Sequence, residues 1–209
     1  MAVDTRKVVV LCSGGLDSIV TAEMYRRTGY DVSLLYIDYG NDNAEEEAEK
    51  VKAYGVKHNL KLYGELLQTD FLKDAIKASP SYIPMRNLMF ISIALSLAET
   101  IGAGAVALGI IEVSQYYSDC SEQFINSMNN LGLNMADIQV LTPLINATKK
   151  DVVSLANCFG IAMEDIFTCE HPNEDGSACG KCDKCYDLQQ AQNRSEEHTS
   201  ELQSPVLYR

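Results

Sequence analysis

Apolar and polar positions along the chain change in blocks that indicate strands followed by helices. The first apolar block, residues 8–11, is continuous and rich in β-branched residues, as expected of a strand buried on both faces. The predicted strands are 8–11, 32–37, 61–63, 105–110 and 140–141, and the predicted helices are 19–27, 43–55, 70–77, 88–101, 121–131 and 149–159. This alternation is typical of an α/β domain with a doubly wound, mostly parallel sheet.

Length and charge narrow the class of protein further. The 209 residues suit one α/β domain with a small appendage, and the formal net charge of −12 argues against a broad contact with nucleic acid. No apolar run approaches the length of a membrane span, and residues 1–7 are too short and polar for a secretory signal. We therefore expect a cytoplasmic protein that acts on a small molecule, with no nucleic acid or membrane partner.

A glycine-rich turn joins the first strand to the first helix. Its sequence is Ser-Gly-Gly-Leu-Asp-Ser, residues 13–18. Unpaired amides at a helix start carry partial positive charge and favour an anion, usually phosphate. Both the P-loop pattern and the dinucleotide pattern are absent. Ser13 and Ser18 offer hydroxyls to phosphate oxygens, and Asp17 offers a carboxylate to a bridging Mg²⁺. The simpler alternative is an ordinary turn in which Asp17 and Ser18 only cap the helix.

The string at residues 13–18 resembles the loop of the pyrophosphate-loop ATPases, which include asparagine and GMP synthetases and tRNA thiolases. The resemblance implies an adenine nucleotide alpha hydrolase-like, Rossmann-like fold. It also implies that ATP is cleaved between its α- and β-phosphates and that an oxygen of the substrate is adenylated. A nitrogen or sulfur nucleophile then displaces AMP, and the loop holds the leaving pyrophosphate.

Three polar features follow the loop. Asp38 ends the second strand, where a carboxylate often meets a ribose or an amino group of a nucleotide, although a strand-terminating turn is the alternative. Asn43 is the expected cap of the next helix, and the glutamates after it are most simply a solvated face. Arg86 opposes the dipole of the helix that follows it, which indicates a bound phosphate or carboxylate; a surface arginine is the alternative.

Four cysteines near the carboxyl end form the spacing C-x₉-C-x₂-C-x₂-C. Cys169, Cys179, Cys182 and Cys185 lie within seventeen residues and match a tetrahedral zinc site. A site without an open coordination position is structural, not catalytic. A [4Fe–4S] cluster is the rival, but the upstream position of Cys169 favours zinc.

The other three cysteines are predicted to be thiols in a reducing compartment. Cys12 and Cys158 are expected to pack in the core as small hydrophobes. Cys120 lies where the active site is expected, and its role is left open.

Further motifs bring the chain close to one family. Pro84-x-Arg86-Asn87, Tyr117-x-Asp119-Cys120 and the cysteine spacing, together with the loop, resemble the 7-cyano-7-deazaguanine synthases over about residues 7–190. The resemblance implies a carbon–nitrogen ligase that converts 7-carboxy-7-deazaguanine and ammonia to the nitrile with ATP, on the route to queuosine and archaeosine. It also implies Mg²⁺, one structural zinc and a homodimer as a possible assembly.

The resemblance and the residue patterns together give four sets of candidate residues. The catalytic set is Asp17, Arg86, Asp119 and Lys149; the nucleotide-binding set is Cys12, Ser13, Gly14, Gly15, Leu16, Asp17, Ser18 and Asp38; the substrate-binding set is Asn87, Tyr117, Cys120 and Ser121; and the metal-binding set is Cys169, Cys179, Cys182 and Cys185.

Some positions depart from the family pattern. Ser121 and Glu122 stand where the family has arginine and proline, Phe167 stands where it has tryptophan, and the segment after the third strand is shorter. The alternatives are therefore a ligase for another deazapurine, a pyrophosphate-loop tRNA thiolase and an inactive nucleotide-binding module. The acidity of the chain disfavours a thiolase that binds RNA, and the intact loop disfavours the inactive module.

The sequence predicts three regions. Residues 1–165 form the nucleotide-binding domain, residues 166–193 the zinc-binding segment, and residues 194–209 a tail outside the fold. The tail back-translates into a common sequencing-adapter read, so we expect it to be artefactual or disordered.

Overall fold

A five-stranded parallel sheet lies at the centre of the computed structural model, which describes residues 3–78 and 82–202, with side chains as far as residue 193. The strands are β1 (Asp4–Leu11), β2 (Asp31–Asp38), β3 (Lys61–Leu66), β4 (Ala103–Leu108) and β5 (Gln139–Leu141). Their order in the sheet is β3-β2-β1-β4-β5, and each neighbouring pair is parallel. The predicted doubly wound α/β class is confirmed.

Helices cover both faces of the sheet. They are α1 (Leu16–Arg27), α2 (Ala44–His58), α3 (Asp70–Ala78), α4 (Arg86–Ile101), α5 (Glu122–Ala136), α6 (Lys149–Phe159) and α7 (Asp183–Leu202). Short 3₁₀ helices occupy Glu112–Tyr116, Ser118–Cys120 and Met163–Asp165. Within residues 3–78 and 82–202, none of the helices combines the length and the apolar content needed to cross a bilayer.

Strand β1 is buried on both faces, as its continuous apolar run predicts. Val8 and Val10 pack in the core that also contains residues of α1 and α6, whereas Val9 packs in the opposite core with residues of α4 and α5. All three side chains are fully buried, and each contributes about 1.5–3 kcal/mol relative to an exposed position. The central strand therefore joins the two cores.

Several local predictions are confirmed and others are wrong. Thr148 and Asp151 form a reciprocal capping box at α6, and Gly160 ends that helix with a φ of 70°. Cys158 was expected in the core but is exposed, because it lies on the solvent side of α6. Asn43 occupies the cap position of α2 without a capping hydrogen bond from its side chain.

The carboxyl-terminal part of the chain contains a helix that the pattern did not predict. Helix α7 packs against α6 and buries Ala191, with Leu188 packed on the same core. Its backbone continues to Leu202, through nine positions assigned to the tail; residues 203–209 lie outside the described part, as do residues 79–81 of the predicted loop.

The sheet brings two turns together at its carboxyl edge. Strand order changes direction between β1 and β4, and ligands of doubly wound sheets bind at this switch point. Gly109 follows β4 there and contacts the start of α1 so closely that an added Cβ would lie 2.6 Å from the carbonyl carbon of Asp17. A side chain at this position would displace the turn after β1.

We predict that Gly109→Ala lowers the free energy of unfolding by about 1–3 kcal/mol, as is typical of overpacking. The reason is that the neighbouring atoms belong to backbone and cannot rotate away. Urea denaturation measures the change, and Gly64→Ala in edge strand β3 is the control, since an added Cβ there meets nothing within 4 Å. Equal stability of the two variants would contradict the close approach.

Candidate active site

A cleft of about 300 Å³ opens at the carboxyl ends of β1, β2 and β4. Loop residues after β1 form its floor, and the first turns of α2, α4 and α6 contribute side chains to its walls. Phe167 and Thr168, just before the first cysteine of the cluster, and Glu170, just after it, also line the cleft. The volume falls in the range of small-molecule sites.

The turn after β1 is held in shape by its own groups. The Ser18 hydroxyl donates to the Gly15 carbonyl at 2.9 Å and accepts from the Ser13 amide at 3.2 Å. Gly14 has a φ of +77°, and an added Cβ would lie 2.8 Å from the Glu47 carbonyl oxygen. The Phe167 amide donates to the Gly14 carbonyl at 2.9 Å. Ser18 therefore fixes the loop, and its role as a donor to phosphate stays a prediction.

Asp17 and Lys149 form an ion pair in the cleft. The lysine Nζ lies 2.8 Å from both carboxylate oxygens, although the residues are 132 positions apart in the chain. Lys149 is the first residue of α6, so the capping box at Thr148 places it. Two predicted catalytic residues thus meet, and each neutralises the other's charge.

Arg86 opens α4 and lies in the cleft, not on the outer surface. Its Nη1 donates to the Tyr39 hydroxyl at 3.1 Å, and its guanidinium carbon lies 5.4 Å from the centre of the Tyr39 ring. Phe90 supports that ring with a centroid distance of 5.5 Å. Tyr39 therefore holds the cation at a helix start, where the dipole alone would disfavour it.

Asp119 is buried and positions the start of α4. Its carboxylate accepts from the Asn87 backbone amide at 3.0 Å, and its carbonyl accepts from Asn87 Nδ2 at 3.1 Å. Asn87 Nδ2 also lies 3.0 Å from Cys120 Sγ. Burial raises the pKa of Cys120 to about 11, so this side chain is a thiol at neutral pH.

Apart from the metal-binding cysteines, five of the predicted site residues do not line the cleft in the described part of the chain: Gly14, Asp38, Tyr117, Asp119 and Ser121. Asp38 accepts from the Gly40 amide at 2.8 Å, in the strand-terminating turn that was its alternative. Tyr117 stacks on Tyr82 with a centroid distance of 5.5 Å. Ser121 caps α5 by accepting from the Phe124 amide at 3.2 Å. Ligand roles for these residues stay predictions.

Other residues line the cleft although the sequence pattern did not select them as site residues. They include Tyr39, Asn41, Asn43, Glu47, Phe167, Glu170 and Lys184. The expectation that the glutamates after Asn43 are all solvated is wrong for Glu47. The sequence did contain an indication that Glu47 faces inward. Glu47 precedes the fully buried Val51 by four residues, so the two side chains lie on the same face of the helix. Lys184 had no such indication, since it lies between Cys182 and Cys185 in the first turn of α7, a helix that the sequence pattern did not predict.

Glu47 lies in a network of two asparagines. Asn43 Nδ2 donates to Glu47 Oε1 at 3.2 Å, and Asn41 Nδ2 donates to Glu47 Oε2 at 3.1 Å. Asn43 Nδ2 also donates to the Cys169 carbonyl at 2.9 Å. Burial raises the pKa of Glu47 to about 7, against the opposing effect of the asparagine N–H groups and of Arg86.

The four predicted metal ligands come together. Their sulfur atoms all lie within 4.8 Å of one another, and Cys182 Sγ lies 4.0 Å from Cys169 Sγ. A Zn–S length of 2.3 Å implies sulfur–sulfur edges of about 3.8 Å in a tetrahedron. Backbone amides of Cys179 and Cys182 donate to sulfurs at 3.3 Å each, which favours thiolates. The cluster fits a metal, and its donor set fits zinc.

The strand order of the sheet and the sequence of the loop together define the structural class of this protein. A parallel 3-2-1-4-5 sheet with Ser-Gly-Gly-x-Asp-Ser after its central strand is an adenine nucleotide alpha hydrolase-like domain with a pyrophosphate loop. The solved structures that share this fold include the following two. The NMN synthetase from Francisella tularensis has a TM-score of 0.53 and 16% identity, covering 97% of this chain and 88% of that one. The U34-tRNA thiolase NcsA from Methanococcus maripaludis has a TM-score of 0.55 and 13% identity, covering 95% of this chain and 68% of that one.

Sequence comparison narrows the class to a family. The model of the family described as "Queuosine biosynthesis protein QueC" matches residues 7–196. The 7-cyano-7-deazaguanine synthase of a Nitratiruptor species is 35% identical over 200 residues, covering 86% of this chain and 90% of the relative. The enzyme of that name from Campylobacter concisus is 37% identical over 203 residues, with the same coverage. The chain belongs to the 7-cyano-7-deazaguanine synthase family.

We predict that Glu47→Gln stabilises the protein at pH 8 but not at pH 5. A carboxyl whose pKa is raised in the folded state binds its proton more tightly there, so its favourable contribution is lost as pH rises from about 4.3 to about 7. Above pH 7 the variant should gain about 1–3 kcal/mol, after the loss of one hydrogen bond. Urea denaturation of both proteins between pH 5 and pH 8 measures the difference in unfolding free energy.

The matched control is Glu45→Gln, which changes an exposed glutamate in the same helical turn. Its stability relative to the unmodified chain should not vary with pH. If the change in unfolding free energy caused by Glu47→Gln were also independent of pH, the Glu47 carboxyl would not be desolvated in the folded protein.

Proposed function

We propose that this chain is an ATP-dependent carbon–nitrogen ligase that converts 7-carboxy-7-deazaguanine and ammonia to 7-cyano-7-deazaguanine, with release of AMP and pyrophosphate. The observation that carries the proposal is the Asp17–Lys149 pair, which lies in the cleft beside the pyrophosphate loop. The names of the relatives support the substrate and product. A cytoplasmic location and a homodimer are parts of the same proposal.

The reaction requires two activations of the same carbon. A carboxylate oxygen attacks the α-phosphorus of ATP, pyrophosphate leaves, and ammonia displaces AMP to form the amide with loss of a proton. The amide oxygen then attacks the α-phosphorus of a second ATP, pyrophosphate leaves again, and loss of AMP and of both protons on the nitrogen gives the nitrile. Neither step needs a covalent bond to the protein, so catalysis consists of positioning and electrostatic stabilisation.

The cleft supplies charges of the required sign. The amides at the start of α1 face a pyrophosphate group, and Lys149 exchanges Asp17 for a phosphate oxygen when the nucleotide binds. Asp17 would then be free to hold Mg²⁺, and the ion would supply positive charge that screens the phosphate oxygens. Arg86 neutralises the substrate carboxylate or the adenylate, with Tyr39 keeping the guanidinium in place.

The cysteine cluster holds one structural zinc in this proposal, and it supports the cleft through the backbone. Phe167, two residues before Cys169, donates to Gly14 of the loop, and the Cys169 carbonyl accepts from Asn43. A metal bound by these cysteines would therefore hold Phe167 and the Cys169 carbonyl in position against the loop and Asn43. Binding free energy at such a site contributes directly to folding.

A tRNA thiolase is the second candidate, because thiolases share this fold. Two observations disfavour it. Burial raises the pKa of Cys12 and of Cys120 to about 11 each, so the two cysteines of the cleft are poor thiolates for sulfur transfer. The formal net charge of −12 also opposes RNA binding. A ligase for another deazapurine remains an alternative on account of Ser121, and mass spectrometry of the products distinguishes it.

We predict that Asp17→Asn abolishes AMP release and leaves the fold intact. The variant loses the carboxylate for Mg²⁺, whereas the partly exposed ion pair to Lys149 contributes only about 0–1 kcal/mol to stability. Mass spectrometry of a reaction with ATP, ammonia and 7-carboxy-7-deazaguanine measures nitrile and AMP. Asp31→Asn, at the exposed start of β2, is the control and should keep full activity. Unchanged turnover by Asp17→Asn with normal melting would sink the assignment.

We predict that Cys182→Ser lowers metal content and stability together, because it removes one of four thiolate ligands. Elemental analysis of the unmodified protein should give about one zinc per chain. Cys158→Ser is the control, since this exposed cysteine lies on α6 outside the cluster. Iron with a visible charge-transfer band would instead identify an iron–sulfur cluster.

A further inference from the structure

One wall of the cleft consists of hydrogen-bond acceptors that the proposed chemistry does not use. Glu47 presents two carboxylate oxygens, each of which accepts a single described hydrogen bond and has capacity for another. Beside them, Asn41 Oδ1 is buried and has no hydrogen-bond partner in the described part of the chain. A buried acceptor without a donor is costly, so its presence in a cleft points to a ligand that donates.

The orientation of these groups is fixed by the surrounding network. Asn43 Nδ2 must face the Cys169 carbonyl, which turns Asn43 Oδ1 towards Asn41. Asn41 Nδ2 donates to that oxygen at 2.6 Å and to Glu47, so Asn41 Oδ1 is the atom left over. A flipped Asn41 amide would place its oxygen against two other acceptors. Tertiary contacts therefore fix the orientation of the Asn41 and Asn43 side-chain amides.

We propose that Glu47 and Asn41 form the subsite that reads the donating edge of the purine-like substrate, a ring N–H next to an exocyclic amino group. The proposal rests on the proposed function, because that function supplies a guanine-type ring with this edge. Such an edge presents adjacent N–H groups to a carboxylate, with a further N–H of the amino group available to the amide oxygen.

The distribution of charge in the cleft agrees with a substrate ring edge that faces Glu47 and Asn41. Arg86, Lys149 and Lys184 supply cations to the same cleft as the acceptor wall of Glu47 and Asn41. The substrate has the same asymmetry, since its ring edge donates and its carboxylate accepts. N–H donors that bind the Glu47 carboxylate favour its ionised form.

An adenine ring fits this wall less well. Its comparable edge has one amino donor beside a ring nitrogen that accepts, and that nitrogen would face a carboxylate oxygen of Glu47. The acceptor wall therefore favours the deazaguanine ring over the adenine of ATP. Loss of ATP affinity in a Glu47 variant would point to the opposite assignment.

The experiment compares the binding of two ligands by isothermal titration calorimetry in the absence of ATP. The ligands are 7-carboxy-7-deazaguanine and the analogue that lacks only the exocyclic amino group. The unmodified chain should bind the first ligand about 10–100-fold more tightly. In Glu47→Gln the affinity for the first ligand should fall by about 10–100-fold, and the preference between the two should shrink to within about threefold.

The controls separate this subsite from other causes. Glu45→Gln should retain both affinities, and Glu47→Gln should bind a non-hydrolysable ATP analogue as the unmodified chain does. Thermal melting confirms that the variant is folded. A preference that survives Glu47→Gln, or a loss confined to the ATP analogue, overturns the inference.

Turnover by the unmodified chain distinguishes a failure of the proposed subsite from a failure of the proposed function. Nitrile formation from 7-carboxy-7-deazaguanine, combined with an unchanged preference in Glu47→Gln, refutes the subsite alone. Absence of nitrile from a folded, metal-loaded chain refutes the proposed function, whatever the variant binds.

Discussion

The cleft depends on a close approach of backbone segments around the turn after β1. Gly14 lies against the carbonyl of Glu47 in α2, and Gly109 after β4 lies against Asp17 in the first turn of α1. Neither contact leaves space for a Cβ. Because these contacts join α2, α1 and β4 without side chains between them, the loop amides stay at the switch point of the sheet, where an anion is bound most favourably.

The charged groups of the cleft are placed there by the parallel sheet and its crossover helices. In a parallel sheet with crossover helices, the helices begin at the carboxyl edge, and α1, α2, α4 and α6 all contribute residues of their first turns or caps to the cleft. Their partial positive charges and the cations Arg86, Lys149 and Lys184 lie in the same cleft as four acidic side chains, those of Asp17, Asp42, Glu47 and Glu170. The cleft therefore contains charges of both signs, and the net charge of −12 for the whole chain does not show where within the cleft an anion binds.

The cysteine segment has a role beyond its own stability. Through Phe167 it contacts the loop, and through the Cys169 carbonyl it orients Asn43 and hence Asn41 and Glu47. A metal held by the four cysteines would restrain these backbone groups, because the chain between the contact points is short. The four-cysteine cluster and the acceptor wall of Glu47 and Asn41 are therefore linked by one chain of hydrogen bonds.

The sequence by itself determined the α/β class, the buried central strand, the loop, the capping box at Thr148 and the four cysteines. Each of these depends on local periodicity or on spacing over fewer than twenty residues, so a linear pattern contains the necessary information. The tertiary structure alone decided that Lys149 meets Asp17, that Glu47 leaves the solvated face and that α7 brings Lys184 to the cleft. It also placed Ser121 and Asp38 in a cap and a turn. These outcomes depend on contacts between distant segments, and the propensity of a polar residue for helix or turn is the same whether it faces water or a ligand.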